Sequence, residues 1–152
     1  MPKPLAKTDV NCVLGFDFGM TKIGVAVGQR ITMNASPLGL LKAQDGAPQW
    51  GQVETLIQEW APQLLLVGYP VHMDGSEQFV TKAAKRFGNR LSGRFQLPVE
   101  WVDERLTSYE AEHYLSDLLQ GDIGSHRESD KLNVDSLSAK LIIEQWFNEN
   151  LK

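Results

Sequence analysis

The chain has 152 residues, of which 42% are hydrophobic, and 15 Lys and Arg against 19 Asp and Glu give a formal net charge of −4. A chain of this length is typical of a single domain, which buries roughly 68–70% of its unfolded surface. No apolar run approaches the ~20 residues of a membrane span and the N-terminus lacks the apolar stretch of a signal peptide, so we expect a cytoplasmic protein.

An N-terminal arm and three strands are predicted first. Residues 1–11 are polar, contain two prolines and are expected to form a flexible arm, which leaves residues 12–150 as one domain. In the run Cys12–Gly19, apolar residues occupy odd and even positions alike, which is typical of a strand buried on both faces. Residues 22–28 predict a second strand and residues 31–38 a weaker third, and their short connections favour antiparallel hairpins.

The rest of the chain alternates helices and strands. Apolar residues recur at helical spacing from Trp50 to Trp60, and Pro62 ends that helix. Next come a strand over residues 63–68, a helix from Ser76 that ends before Arg94, a strand over 98–102, a helix from Thr107 to Gly121, a loop over 121–131, and a helix over 131–148. This order favours a mixed sheet with helices on both faces.

Carboxylates end two of the predicted strands. Asp17 lies near the end of the doubly buried first strand, where an ionised carboxylate costs several kcal/mol unless something neutralises it. The alternative is a turn or capping aspartate before Gly19. Asp103 and Glu104 lie at the carboxyl end of the last strand, where α/β sheets place ligands. The alternative for this pair is an exposed strand end in which an acid pairs with Arg105.

A third carboxylate, Asp135, lies on the last helix. On a helical wheel it shares the inward stripe with Ser138 and Ile142, whereas Ser136 and Lys140 lie away from it. The alternative is a first-turn aspartate that the helix dipole stabilises by ~0.3–1 kcal/mol. Three carboxylates at one edge of a sheet would bind hard cations such as Mg²⁺ or Mn²⁺. Two such ions can activate a water and stabilise the leaving oxygen of a phosphodiester.

A basic segment offers a surface for nucleic acid. Residues 78–99 carry five basic residues and no acid, whereas residues 103–135 carry three basic and nine acidic residues. The basic candidates on the predicted helix lie opposite or beside its apolar face: Lys82, Lys85, Arg86 and Arg90. An ordinary solvated helix face is the alternative, but the lack of neighbouring acids favours contact with a phosphate backbone. Lys131 is a further phosphate candidate, so the acidic total does not exclude a nucleic-acid substrate.

Four blocks carry a family resemblance. In chain order they are GFDFG with IGVAVG (residues 15–28), VGYP with MDGS (67–76), DERLTS (103–108), and VDS with the following Ala and Ile (134–143). Together they resemble the YqgF family, bacterial proteins related to Holliday-junction resolvases and described as pre-16S rRNA nucleases. The similarity runs from about Val13 to Phe147. Met20 stands where the family usually has Thr, and Tyr69 stands where it usually has Leu.

The resemblance implies a ribonuclease-H-like α/β fold, with a five-stranded mixed sheet of three antiparallel and then two parallel strands, and helices on both faces. It also implies a metal-dependent hydrolase that processes the 5′ end of precursor 16S rRNA in ribosome biogenesis. Asp17, Glu104 and Asp135 would be its catalytic metal ligands, and Arg105 could pair with an acid or contact phosphate. The expected partner is RNA, bound by a monomer or weak dimer. A DNA endonuclease acting on branched DNA and a non-catalytic RNA-binding assembly factor remain alternatives.

Overall fold

Six strands form one mixed sheet. The structure, a computed structural model, describes residues 10–69, 79–103 and 134–151. The strands are β1 (Cys12–Asp17), β2 (Lys22–Gln29), β3 (Asn34–Gln44), β4 (Ala47–Pro48), β5 (Leu64–Tyr69) and β6 (Val99–Asp103), in the sheet order β4-β3-β2-β1-β5-β6. Strands β1 to β4 are antiparallel neighbours, and β5 and β6 run parallel to β1. The predicted sheet is confirmed, with the two-residue β4 as an addition at its edge.

In the described parts of the chain, three helices cover the two faces of the sheet. They are α1 (Trp50–Trp60), α2 (Phe79–Phe95) and α3 (Val134–Asn150). Helices α1 and α2 pack on the face of β1 that carries Leu14 and Phe16, and α3 packs on the opposite face with Val13. Helix α1 ends as predicted before Pro62, at Ala61 with φ 47°. The predicted helix start at Ser76, the helix from Thr107 to Gly121 and the loop over 121–131 lie outside the described residues.

The third strand starts later and runs further than predicted. Ile31 is 91% exposed and lies in the turn between β2 and β3, so the strand begins only at Asn34. It then continues to Gln44 past a bulge opposite Val25 and Ala26, whose irregular register interrupts the alternation of side chains. The alternation of side chains before the bulge therefore does not continue after it, and an alternating pattern does not predict the second half of the strand.

The first two described residues, Val10 and Asn11, contact the core. Val10 is 1% exposed and belongs to the apolar cluster under α3. The next residue, Asn11, accepts a hydrogen bond from the Arg30 N–H at 2.9 Å, and its own N–H donates to the Gln63 side chain at 3.0 Å. Residues 10 and 11 therefore contact the domain that follows them.

Helix α3 packs directly on glycine backbone. A Cβ at Gly28, level with the start of β1, would lie 2.3 Å from Ile143 Cγ2 and 3.1 Å from the Phe147 ring. A Cβ at Gly15, two residues further along β1, would lie 2.7 Å from Ile143 Cγ1 and 3.2 Å from the Ala139 carbonyl oxygen. From the start of β1 toward its end, the contacting residues of α3 come earlier in that helix, so α3 runs antiparallel to β1. The distance between α3 and the sheet depends on these glycines, because any side chain there would collide with the helix.

Two glycines of α2 differ in the space around them, so we expect opposite effects on stability when each is replaced by alanine. A Cβ at Gly88 would lie 2.5–2.8 Å from three atoms of the Trp101 indole, whereas a Cβ at Gly93 meets nothing within 4 Å. We expect Gly88→Ala to lower the free energy of unfolding by about 1–3 kcal/mol through overpacking, and Gly93→Ala to raise it by about 0.5–1 kcal/mol through helix propensity. Urea unfolding of both variants measures this, and equal shifts of the same sign would contradict the close packing of α2 on β6.

Candidate active site

Asp17 lies at the carboxyl end of β1, with a glycine beside it on each adjacent strand. Its carboxylate is nearly buried, at 6% exposure. In the sheet it pairs with Gly24 on β2 and with Gly68 on β5. Side chains of paired residues share a face of the sheet, so neither adjacent strand places one beside Asp17. The residues beside Asp17 on the two adjacent strands are therefore both glycines, which contribute backbone only.

Neighbouring residues fix the position of Asp17. It shares the α3 side of β1 with Val13 because it lies at even spacing from that residue. Immediately after it, the Phe18 N–H donates to the Gly68 carbonyl at 3.0 Å and holds β1 against β5. Phe18 itself belongs to the apolar cluster on the other face of the sheet. A carboxyl group is thus held at the end of a buried, hydrogen-bonded strand.

The backbone brings the start of α3 toward the same edge. Gly15 lies against the Ala139 carbonyl oxygen. Asp17 is two residues further along β1, about 6.6 Å, and Asp135 is four residues earlier on α3, about 6 Å. Because α3 runs antiparallel to β1, both steps lead toward the carboxyl end of β1. Position 135, in the first turn of α3, is therefore level with Asp17 along the strand.

The carboxyl end of β6 completes this edge. Gly68 pairs with Val102 on β6, so Asp17, Gly68 and Val102 form one row across three strands. Asp103, paired with Tyr69, is the last described residue of β6. Glu104, Arg105 and Lys131 lie outside the described residues. Among the three predicted ligands, the structure therefore describes the side chain of Asp17 alone.

Two tryptophans fix β6 between the helix layers. The Trp101 indole N–H donates to the Ala84 carbonyl of α2 at 3.2 Å. On the other face, the Trp146 indole N–H of α3 donates to the Glu100 carboxylate at 3.3 Å. The predicted alternation, with residues 99 and 101 on one face and residue 100 on the other, is confirmed. These bonds fix the strand that leads to the predicted ligand at position 104.

Residues 136–139 of α3 are buried on more sides than the helical wheel predicts. Ser136 was expected away from the inward stripe, but it is 1% exposed, and Leu137 is 2% exposed. That expectation is wrong because the wheel assumes a helix with one solvated face, whereas the four consecutive residues 136–139 are all buried. Ser138, on the predicted stripe, is also 1% exposed, and within the described residues its hydroxyl is the buried side-chain group that lacks a hydrogen-bond partner.

The predicted basic residues of α2 lie on the surface. Lys82, Lys85, Arg86 and Arg90 are exposed, opposite the buried Ala84 and Phe87 side of the helix. Arg94 was predicted to lie beyond the end of the helix, but α2 continues to Phe95. The physical reason is tertiary: Phe95 and Arg94 both contact Trp50 of α1, with a ring distance of 6.4 Å and a cation–π distance of 4.4 Å.

The two departures from the family pattern serve packing. Met20 and Tyr69 are both half-buried, and both contact the apolar cluster under α1 and α2. Thr21, the neighbouring hydroxyl residue, is exposed, and its carbonyl accepts a hydrogen bond from the Ala43 N–H at 2.8 Å. The longer Met20 and the aromatic Tyr69 therefore extend the core near Asp17.

Comparisons with solved structures agree with this architecture. The T. thermophilus RuvC structure in complex with a Holliday junction substrate superposes with a TM-score of 0.58 at 16% identity, covering 93% of this chain and 96% of that chain. The fowlpox virus resolvase in complex with Holliday junction DNA gives 0.54 at 10% identity, covering 92% and 98%. At such identities the likeness shows the fold, which is that of the ribonuclease-H-like resolvases. None of the helices within the described ranges is long and apolar enough to cross a membrane.

Sequence comparisons identify the family. A protein of Nitrosococcus oceani named "Putative pre-16S rRNA nuclease" is 51% identical over 137 residues, covering 90% of this chain and 86% of that protein. The protein of the same name from Shewanella denitrificans is 53% identical over 135 residues, covering 89% and 92%. The profile of the RuvX family, described as Holliday junction resolvase, matches residues 11–149. The chain therefore belongs to the RuvX (YqgF) family and is a nuclease, an enzyme that hydrolyses phosphodiester bonds.

Proposed function

We propose that this nuclease uses Mg²⁺ or Mn²⁺ to cleave precursor 16S rRNA, at the 5′ end of the mature sequence, in the cytoplasm. In this proposal residues 12–150 act as a single domain, and Asp17, Glu104 and Asp135 hold the metal. The observation that supports it most is the buried Asp17 carboxylate at the carboxyl edge of the sheet, with a glycine on each adjacent strand.

The donor chemistry fits a hard divalent cation. Mg²⁺ and Mn²⁺ prefer carboxylate and water oxygens and keep several waters when bound. Asp17 supplies such a carboxylate, and its paired residues Gly24 and Gly68 place no side chain beside it on the adjacent strands. The buried Ser138 hydroxyl supports the same assignment, because buried polar groups almost always bond to protein or to ordered water.

Each part of the site has a physical task in this proposal. A bound divalent ion supplies an activated water and neutralises charge on the phosphate. Asp17, on its rigid strand, orients the ion, and the buried surroundings strengthen the attraction by lowering the local dielectric. The exposed cations of α2 attract and position the polynucleotide. The names of the relatives, which are about half identical to this chain, support precursor rRNA as the substrate.

Branched DNA is the second candidate substrate. The family description is Holliday junction resolvase, and two of the superposed structures contain junction DNA. A junction resolvase makes paired incisions and therefore requires a stable two-fold dimer. We expect a monomer or weak dimer, and light scattering of the free protein separates the two cases.

A substrate panel tests the proposal. Labelled precursor 16S rRNA, an unstructured RNA and a four-way DNA junction are incubated with the protein and Mg²⁺, Mn²⁺ or EDTA. We expect defined 5′ products from the precursor with either metal and none with EDTA. Preferred cleavage of the junction would overturn the substrate assignment. RNA binding without product on a denaturing gel, under every metal condition, would instead indicate a non-catalytic assembly factor.

A further inference from the structure

Helix α2 carries a ridge of four cations. Lys82, Arg86, Arg90 and Arg94 are spaced by four residues, and residues at that spacing are neighbours on a helix surface. All four are exposed. Successive side chains are about 6 Å apart along the axis, so the ridge spans about 18 Å. Each step also turns by about 40° around the axis, so the ridge is a shallow spiral of positive charge that covers about 120° of the helix surface.

No carboxylate on α2 balances this charge. The helix contains no Asp or Glu from Phe79 to Phe95, and none of the four ridge residues forms a salt bridge within the described parts of the chain. Like charges at this spacing destabilise a helix. A solvated helix face usually alternates its charges and avoids that penalty, so a ridge that no described carboxylate balances points to an anionic ligand that offsets it.

Trp50 holds the last cation of the ridge. The Arg94 guanidinium carbon lies 4.4 Å from the centroid of the Trp50 ring. The indole is itself packed against Phe87, with a centroid distance of 5.8 Å and an interplanar angle of 24°. Trp50 is therefore anchored in the core and fixes the exposed Arg94 at the end of the ridge, where a guanidinium plane can also stack on a base.

The ridge runs away from the candidate active site. Phe87 lies near Phe16 and Phe18, at centroid distances of 5.6 and 5.3 Å, close to the end of β1. Helix α2 then leads to the start of β6, at the opposite edge of the sheet. Lys82 thus lies at the end of the ridge nearer to Asp17, and Arg94 lies at the far end.

We propose that the ridge of Lys82, Arg86, Arg90 and Arg94 binds one single-stranded segment of the polynucleotide, with an unpaired base stacked on Arg94. One row of cations follows one backbone, whereas a duplex presents two. Unpaired bases are the ones that stack on aromatic or guanidinium planes. The proposal rests on the proposed nuclease function and adds to it a single-stranded region flanking the cleaved bond.

The salt dependence of binding tests the charge ridge. Fluorescence anisotropy of the full chain in EDTA measures affinity for an unstructured 12-nucleotide RNA and for the matched duplex, without cleavage. For four contacts on a single strand we expect log K to fall against log salt with a slope of about −2.8. Arg86→Gln and Arg90→Gln should each make this slope shallower by about 0.7, to about −2.1. Lys42→Gln, at an exposed lysine of β3, is the matched control and should leave the slope unchanged.

Arg94→Lys tests the stacking contact because it keeps the charge and removes the plane. We expect an unchanged salt slope and several-fold weaker binding of the unstructured RNA. A strand of the same length with abasic sites should bind the wild type and Arg94→Lys equally. Melting temperatures equal to that of the wild type show that the variants are folded.

The outcomes separate this proposal from the nuclease assignment. Slopes that do not change in Arg86→Gln and Arg90→Gln, failure of the wild type to bind, or tighter binding of the duplex would each overturn the ridge as a single-strand site. Failure of the nuclease assignment appears elsewhere, as cleavage that does not depend on metal or on Asp17, and does not alter these binding measurements.

Discussion

Replacing Asp17 by Asn is expected to reduce metal-dependent RNA cleavage by a factor of roughly 10³ or more. Asn keeps the size of the side chain but removes the negative charge that would hold a divalent cation. A bound metal contributes several kcal/mol to the transition state, and each 1.36 kcal/mol corresponds to a factor of ten in rate. Single-turnover cleavage of labelled precursor rRNA measures the loss, and calorimetric titration with Mn²⁺ should show weaker binding.

The control for this variant is Asp45→Asn. Asp45 is an exposed aspartate in the turn between β3 and β4, with φ 52°, a conformation that Asn also adopts readily. It loses the same charge without altering the edge near Asp17, so cleavage and metal binding should stay at the wild-type level. If Asp17→Asn cleaved the precursor as fast as Asp45→Asn, Asp17 would not be a metal ligand.

Replacing Phe87 by Ala is expected to lower the free energy of unfolding by about 3–5 kcal/mol. Phe87 is 2% exposed, and its ring contacts Phe16, Phe18 and Trp50 at centroid distances of 5.3–5.8 Å. It therefore joins α2 and α1 to the end of β1. The loss is a large fraction of the 5–15 kcal/mol typical of a whole domain. In urea unfolding it should appear as a lower midpoint concentration, while the dependence of the unfolding free energy on urea concentration stays unchanged.

Phe95→Ala is the matched control on the same helix. Phe95 is only half-buried, and its ring lies 6.4 Å from Trp50. Because less apolar surface leaves water at this position, its truncation should lower the free energy of unfolding by less than half as much as Phe87→Ala. Equal losses for the two variants would show that Phe87 does not have the central packing role described above.

Much of the architecture is readable in local sequence patterns. The run at Cys12–Gly19 is apolar at odd and even positions alike because β1 is central in the sheet and covered on both faces. Asp17 is the only charged residue in this run, so it is easily recognised in the sequence. Similarly, the helical spacing from Trp50 to Trp60 reflects one apolar side of α1. Such patterns depend on the residues of a single element, so they are visible without knowing its neighbours.

Features that join distant segments are not readable in this way. The pairing of Asp17 with Gly24 and Gly68 depends on strand register, since each glycine alone is unremarkable in the sequence. The bulge in β3 and the burial of Ser136 likewise depend on what packs against the element. A helical wheel or an alternation pattern cannot represent these partners.

The sequence by itself determined the order of the main elements, the three candidate carboxylates, the basic character of α2 and, through four sequence blocks in order, the family. The tertiary structure alone decided that the Asp17 carboxylate is flanked by glycines, and that Arg94 joins Lys82, Arg86 and Arg90 in one ridge. The physical reason is the same in both cases. Backbone pairing and the contact of Trp50 with Arg94 link residues far apart in the chain, and those contacts exist only once the sheet and its helices have packed.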